Sequence, residues 1–497
     1  MTTNRIVFPH PGAGLWFEPL STQDRLFLLS ETENAHMHVG AALLLDTGPL
    51  AKPNAGVAFE RIRRHIAARL PQIPRYRQRI SFAPLRSRPH WIDDERFDLD
   101  HHVRHVRLPQ PGNDQQLKHL CGRIFSQRLD RDRPLWEVVV VEGLGAGQFA
   151  LIAKTHHCLV DGIGGVNLLT ALLDAQAEIG RERPARWAPK PPPTAAELFR
   201  LEIARQIEQS RHFGNQLRDW AQTPRAAVGK LGEQVLGVSQ FLSNGLWPAP
   251  DCALNQPIGA QRRFEWLTFS LDEVKAVKQA LGGTVNDVVL ATVAGALRHF
   301  LRHHRGAACP AELRALVPVN MRQSAEAGAL GNHISALLVS LPIAIRDPER
   351  RYLAVMERMQ AAKSSKQAVG GSALAGASAP LLASLMRFAD RLKTFNVVVT
   401  NVPGPPIPLY LAGARVSTVF PQVPLFVNQG LGIALFSYAG KLHWGLIADR
   451  DALPDLAEMR AALLASFDEL RQVAGRKPAL MKTNVRPWLP RTRAASF

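Results

Sequence analysis

His156-His157-Cys158-Leu159-Val160-Asp161-Gly162 is the stretch on which the reading of this chain turns. Two adjacent histidines are followed, at fixed offsets, by an aspartate and a glycine. Phe149-Ala150-Leu151-Ile152-Ala153 before them reads as a strand, and Val166-Asn167-Leu168-Leu169-Thr170-Ala171-Leu172-Leu173 after them as a helix. The motif therefore puts a titratable ring where a buried strand meets a turn. Histidine has an unperturbed pKa of about 6.5, so it takes and returns a proton near neutrality. A neutral imidazole there can remove the proton of a hydroxyl or amine as it attacks an acyl carbonyl. Gly162 and the pair Gly164-Gly165 let the chain turn tightly at the mouth of such a site. A histidine at a strand end is more often structural, and on the motif alone the structural and catalytic readings weigh the same.

The flanking sequence extends the pattern. Glu137 to Glu142, Gly143 to Gln148 and Phe149 to Lys154 read as a hairpin feeding the histidines. Val57 to Leu70 sets Phe59, Ile62, Ile66 and Leu70 at spacings of three and four, which predicts a helix. Residues 1–19 are rich in Pro and Gly and read as an irregular arm, and 20–185 as a first domain. The clearest break is Pro184-Ala185-Arg186-Trp187-Ala188-Pro189-Lys190-Pro191-Pro192-Pro193, whose prolines lack backbone donors and favour extended chain. A linker and crossover helix are expected over 186–250. Ala196, Phe199, Ile203 and Ile207 fall on one face of that helix, expected to pack between domains rather than line an apolar tunnel or touch lipid. A second domain, 251–475, restarts with Phe264-Glu265-Trp266-Leu267-Thr268-Phe269 and holds buried-looking strands at 337–341 and 396–400. The tail 476–497 carries basic residues and no acid, and is expected to be unstructured. It can touch anionic lipid at about 1 kcal/mol per basic residue.

A chain of 497 residues exceeds the usual size of one hydrophobic core, which argues for two domains. Four cysteines without a C-x-x-C pair make a disulfide framework or zinc site improbable and fit a reducing cytoplasm. The formal charge of +18 suits a polyanionic partner, and no nucleic-acid motif accompanies it. No strongly apolar run reaches the ~18–20 residues that span a bilayer, so any membrane contact is expected to be peripheral. The start, Met1-Thr2-Thr3-Asn4-Arg5-Ile6, lacks the apolar core of a signal peptide. There is no G-x-S-x-G elbow, Walker loop or G-x-G-x-x-G fingerprint, which removes the nucleophilic-serine, nucleotide-hydrolysis and hydride-transfer readings.

His156-His157-x-x-x-Asp161-Gly162 resembles the HHxxxDG signature shared by chloramphenicol acetyltransferase, condensation domains and plant alcohol acyltransferases. Further segments narrow the resemblance: Leu20-Ser21-Thr22-Gln23-Asp24, Met37-His38-Val39-Gly40, Arg133-Pro134-Leu135-Trp136-Glu137, Thr284-Val285-Asn286-Asp287, Val317-Pro318-Val319-Asn320-Met321-Arg322, and Val399-Thr400-Asn401-Val402-Pro403-Gly404-Pro405. In order, over roughly 15–470, they resemble the bacterial wax ester synthase/diacylglycerol acyltransferase family. Position 158 is a cysteine where relatives often carry another small residue.

The resemblance implies an α/β fold of two chloramphenicol-acetyltransferase-like domains, with mixed sheets and a channel between them. It implies fatty acyl-CoA as donor, diacylglycerol or a long-chain alcohol as acceptor, and triacylglycerol or wax ester as product. Coenzyme A is polyanionic and the inner membrane leaflet is acidic, so either suits the basic charge. A cytoplasmic protein peripheral to the inner membrane or to lipid inclusions follows, with no metal or redox cofactor. His157 is carried over as general base, with His156 supporting and Gly162 at the turn. Asp161 is carried over as a bracing residue, and motif order makes Arg322 its expected salt-bridge partner. Asn286 and Asp287 are read two ways, as bordering the site and as a helix cap, since Thr284-x-x-Asp287 precedes an apolar helical run. Thr400 and Asn401 end a buried strand where polar groups can stabilise an oxyanion, a contribution of ~2.7–4 kcal/mol where measured. Trp136 reads as a packing anchor. His101, His102 and His105, near Asp98 and Asp100, have metal-ligand chemistry but are read as surface or interface residues. Two other readings stand beside this one: acyl transfer to another acceptor, such as a carrier-bound product, and a non-catalytic lipid-body protein that keeps the fold.

Overall fold

The computed structural model describes residues 17–54, 56–82, 89–145, 147–159, 171–177, 187–200, 203, 207, 248–304, 310–320, 334–364 and 393–476. The N-terminal arm to residue 16, most of the crossover helix and the tail from 477 lie outside them.

Two six-stranded mixed sheets organise these residues. The first is built around β1 (His38–Asp46), β2 (Val103–Arg107), β3 (Trp136–Glu142) and β4 (Gln148–His156). The expected hairpin is β3–β4, antiparallel from Trp136↔Thr155 onward. Its Val138-Val139-Val140-Val141 run is buried throughout, as β-branched residues in a strand covered on both faces should be. Strand β1 lies antiparallel on the other side of β4, with His38 opposite His156. Helix α1 (Thr22–Ser30) packs against the end of β4. It begins at a capping box in which Ser21 Oγ accepts from Asp24 N and Asp24 Oδ2 accepts from Ser21 N. The helix expected over 57–70 is α2 (Phe59–Arg69), and α3 (Asp114–Ser126) covers the opposite face with Leu117, Cys121 and Phe125 buried.

The second sheet runs β5-β12-β11-β8-β6-β7: β5 (Arg262–Ser270), β6 (Leu313–Asn320), β7 (Ile334–Leu341), β8 (Val397–Pro403), β11 (Leu431–Tyr438) and β12 (Lys441–Asp449). Helices α4 (Leu271–Leu281), α5 (Val285–His304), α6 (Pro348–Ser364) and α7 (Leu456–Gly475) cover one face and form its main core. The uncharged run 288–297 is the buried centre of α5. Among the described residues no single helix is long and apolar enough to cross a membrane.

The halves are interleaved. Strands β9 (Tyr410–Leu411) and β10 (Ala414–Gln422) come from the second half but complete the first sheet, β10 lying antiparallel to β1 from Val416↔Leu45 to Gln422↔Gly40. A shared core joins Val139, Ile152 and Phe125 to Phe264, Trp266, Phe420 and Ile447. The two sheets meet closely enough that a Cβ on Gly445 would lie 1.7 Å from the Pro421 carbonyl oxygen, so only glycine fits there.

The face of the crossover helix differs from expectation. Residues 195–200 are helical, after a capping box in which Glu197 Oε2 accepts from Thr194 N at 2.7 Å and Thr194 Oγ1 accepts from Glu197 N at 3.2 Å. Phe199, Ile203 and Ile207 are 53%, 42% and 48% exposed, so this stripe does not pack between domains. Leu198 is the residue turned inward, against Phe17 and Ile92.

Candidate active site

Strand β4 carries the histidine pair out of the first core. His156 is its last residue and is 1% exposed; its N–H donates to Leu135 O at 2.9 Å. A single 3-10 turn, His157–Leu159, follows. The N–H of His157 donates to Met37 O at 2.7 Å, tying the turn to the residue before β1. Phe27 of α1 lies flat on the His157 ring, with centroids 3.8 Å apart and planes 20° from parallel. Backbone and ring are thus both held. The ring is half-buried, and its Nδ1 is buried with no hydrogen-bond partner among the described residues. Burial draws the imidazole down to about 4, opposed by a smaller effect of its own backbone carbonyl. His157 is therefore neutral, and a potential proton acceptor, across the physiological range.

His156 is differently placed. Its Nδ1 accepts from Cys158 N at 3.1 Å, which puts the proton of the neutral ring on Nε2. Nε2 points at Glu31 Oε2, 3.9 Å away. Burial, followed by the charge of a protonated His157, holds His156 at about 3. Cys158 is buried and its thiol is pushed well above the usual range by burial, so it is no thiolate nucleophile at neutral pH.

Asp161, Gly162 and Arg322 lie outside the described residues, and with them the expected ion pair. Asp287 caps α5: its Oδ2 accepts from Thr284 N and Thr284 Oγ1, both at 2.7 Å, and Thr284 Oγ1 accepts from Asp287 N at 3.3 Å. Its Oδ1 is buried without a hydrogen-bond partner among the described residues. Asn286 beside it is half-buried. Thr400 and Asn401 are half-buried on β8, in parallel register with Ala434 and Leu435 of β11. On its other edge β8 pairs with β6 only at Val397 and Val398. Val402, just beyond, packs against the first core. Among the described residues no hydrogen bond or ion pair joins Asn286, Asp287, Thr400 or Asn401 to His157.

Trp136 is packing: it is 1% exposed, stacks on Tyr76 and His102, and donates from Nε1 to Tyr76 O at 2.8 Å. His102 corrects the expectation of a surface or interface role. It is buried beneath Trp136, with Nδ1 2.8 Å from the Trp136 carbonyl oxygen. His105 stacks on Phe59 and pairs with Glu142 at 3.2 Å, while His101 is exposed beside Asp98. Among the described residues no group of three or more His, Cys, Asp or Glu could hold a metal ion.

Sequence reasoning missed Phe27, Glu31 and the carbonyl of Met37. The spacing of Phe27 and Glu31, one helical turn apart, is the only local signal, and nothing in it points to residue 157.

Residues 20–289 match the model of the wax ester synthase/diacylglycerol acyltransferase catalytic domain, and 330–471 match that of the WS/DGAT C-terminal domain. The chain belongs to the wax ester synthase/diacylglycerol acyltransferase family. This WS/DGAT member is 34% identical over 470 residues to a Mycobacterium tuberculosis protein named probable diacylglycerol O-acyltransferase, covering 91% of this chain and 98% of that one. It is similar in structure to the wax ester synthase/diacylglycerol acyltransferase from Marinobacter aquaeolei VT8, with a TM-score of 0.67, 30% identity, and 92% and 100% of the two chains covered. The starter condensation domain of rhizomide synthetase aligns with a TM-score of 0.57 over 93% and 95% of the chains at 11% identity, a likeness of fold. The WS/DGAT chain is an acyltransferase, and its fold is the α/β architecture of mixed sheets expected from the motif.

Proposed function

We propose that the enzyme moves a fatty acyl group from acyl-CoA to diacylglycerol or a long-chain alcohol, with His157 as general base in a ternary complex. The observation that carries this is the neutral, half-buried imidazole stacked on Phe27, with its backbone N–H held by the Met37 carbonyl. The acceptor hydroxyl gives its proton to His157 as its oxygen bonds to the thioester carbonyl carbon. The C–S bond then breaks, and the thiolate leaves and takes up a proton. A thiolate departs readily, so the step calls for no metal, redox cofactor or acyl-enzyme. Thr400 and Asn401, where β8 parts from β6, are the proposed oxyanion donors. Asn286 and Asp287 are proposed to border the acceptor side, the capping carboxylate fixing the start of α5. The exposed Phe199, Ile203 and Ile207, four residues apart on one helical face, are proposed to rest on the lipid surface that supplies the acceptor.

Purified enzyme given palmitoyl-CoA with diacylglycerol or hexadecanol in separate reactions is expected to yield triacylglycerol or wax ester with release of free thiol. Thiol release without either product would overturn the acceptor assignment. In the same preparation, Phe199→Ser with Ile203→Ser and Ile207→Ser is expected to abolish co-flotation with vesicles, and unchanged flotation would remove the lipid-contact role.

The position of the base predicts the pH response. An ordinary imidazole would lose activity as pH falls through about 6.5. Here the acid limb of kcat/KM is expected near pH 4, because the free enzyme keeps His157 neutral down to about 4. Stability has the same sign. His156 and His157 bind protons less readily folded than unfolded, so their contribution is complete above about pH 6.5 and is lost as pH falls toward about 4 and 3. An acid limb at 6.5 would show that the ring is not desolvated in the working enzyme.

A further inference from the structure

Six buried polar atoms without hydrogen-bond partners among the described residues cluster behind the histidine pair: Ser30 Oγ, Glu31 Oε1, His36 Nδ1, both ring nitrogens of His38, and His156 Nε2. Glu31 is their common neighbour. It caps the C-terminus of α1, one turn after Phe27, and its side chain is 1% exposed. Arg131 grips the carboxylate through Nε at 3.0 Å and through Nη2, and Arg128 Nη2 adds a contact at 3.2 Å. The remaining surroundings of that carboxylate are three imidazoles: His38 Nε2 at 3.6 Å, and His36 Nδ1 and His156 Nε2 at 3.9 Å.

Unpaired buried polar groups cost stability, and such a concentration in one place calls for a reason. The reason lies in what the imidazoles carry. His36 and His38 flank Met37, whose carbonyl holds the backbone of His157. His38 sits opposite His156 across the β1–β4 ladder. His156 immediately precedes His157, and its proton must be on Nε2, facing the carboxylate. Burial leaves all three rings neutral at physiological pH. The carboxylate is thus a fixed charge, locked by two guanidiniums, toward which the dipoles of three neutral rings can orient. The second half pins the same loop through Arg262, which donates to Asn34 O and pairs with Asp449 at 3.3 Å.

We propose that Glu31 is a positioning residue for acyl transfer: anchored by Arg128 and Arg131, its carboxylate sets the tautomer of His38 and the place of His38 and His156, and thereby the position of His157. This rests on His157 acting as the base. It assigns Glu31 no contact with substrate.

The test uses the full chain as Glu31→Gln, which keeps the shape and removes the charge, beside His157→Ala and the double variant Glu31→Gln/Arg131→Gln. The double variant removes the uncompensated guanidinium if the single one folds poorly. Misplacement of a catalytic group by about an ångström can cost 10²-fold, so kcat is expected to fall about 10- to 100-fold in both Glu31 variants, with KM for acyl-CoA within about twofold of wild type. The ring ¹⁵N spectrum is expected to show His38 as the Nε2–H form in wild type and as a tautomer mixture in Glu31→Gln, while His156 stays Nε2–H in both under the Cys158 N–H. Full kcat in folded Glu31→Gln, or recovery of kcat in the double variant, would overturn the proposal while an inactive His157→Ala left the base assignment standing. A fully active His157→Ala would remove both.

Discussion

His157→Ala is expected to lower kcat by about 10²- to 10⁴-fold, the range a positioned general base contributes. The fold should survive the change. The backbone bond from His157 N to Met37 O does not depend on the side chain, and His156 keeps its own ties to Leu135 and Cys158. What is lost is the ring stacked on Phe27, which is half-buried and carries no side-chain hydrogen bond among the described residues. KM for acyl-CoA should change little, because the imidazole acts on the acceptor hydroxyl in the transition state rather than on the donor in the ground state. The measurement is steady-state kinetics with palmitoyl-CoA on a variant whose thermal midpoint is near that of wild type. Unchanged kcat would move the base elsewhere. A rise in KM alone would make His157 a binding residue.

Lys154→Ala is expected to be the most destabilising single change among the residues that build the site, at about 3–5 kcal/mol, the typical cost of breaking a buried ion pair from one side. Lys154 is 1% exposed on β4, two residues before His156. Its ammonium lies 2.6 Å from Glu137 Oε1 on the neighbouring strand and donates to Ile124 O at 2.8 Å and Gln127 O at 2.7 Å, at the end of α3. Burial pulls the lysine below its ordinary value and Glu137 opposes that. The cation satisfies two terminal carbonyls and the negative end of the helix dipole together. Among the described residues truncation leaves Glu137 with Arg104, a half-exposed partner, and leaves the Gln127 carbonyl without a donor, while Ile124 O keeps its bond from Gln127 N. Lys154→Met keeps the volume and should recover only the packing share. Thermal unfolding of both variants checks this, and a midpoint equal to wild type in Lys154→Ala would show that the buried charge contributes no net stability.

The two predictions concern β4 and the turn that follows it, yet their legibility differs. The β3–β4 hairpin, the placement of His157 at a strand end and the α5 cap could all be read locally, because strand alternation, turn residues and the Thr284-x-x-Asp287 spacing report interactions within a few residues. The acyltransferase reading came from ordered motifs, and the family match agrees with it. Lys154 is different. In sequence it is one basic residue in a strand, and its three partners lie 17 to 30 residues away in contacts that no period encodes. His102 shows the same gap. It was read with His101 and His105 as a surface or interface residue, while stacking on Trp136, 34 residues on, buries it. The apolar stripe Phe199, Ile203 and Ile207 shows the converse: periodicity finds a face, but only the fold says whether anything covers it.

By itself, then, the sequence determined the kinds of element, the order of the motifs and the chemistry available at residues 156 and 157. These depend on backbone propensity, side-chain period and intrinsic pKa, all properties of short segments. The tertiary structure decided which neighbours make that chemistry usable. It brought Phe27 onto the His157 ring, Met37 O onto its backbone, and Glu31 with Arg128 and Arg131 behind His156. It also sent β10 from the second half into the first sheet, so that the first half does not complete its sheet alone. Contacts of that kind form only when segments a hundred or more residues apart exclude water together, and the pKa of about 4 at His157 is a consequence of that shared burial.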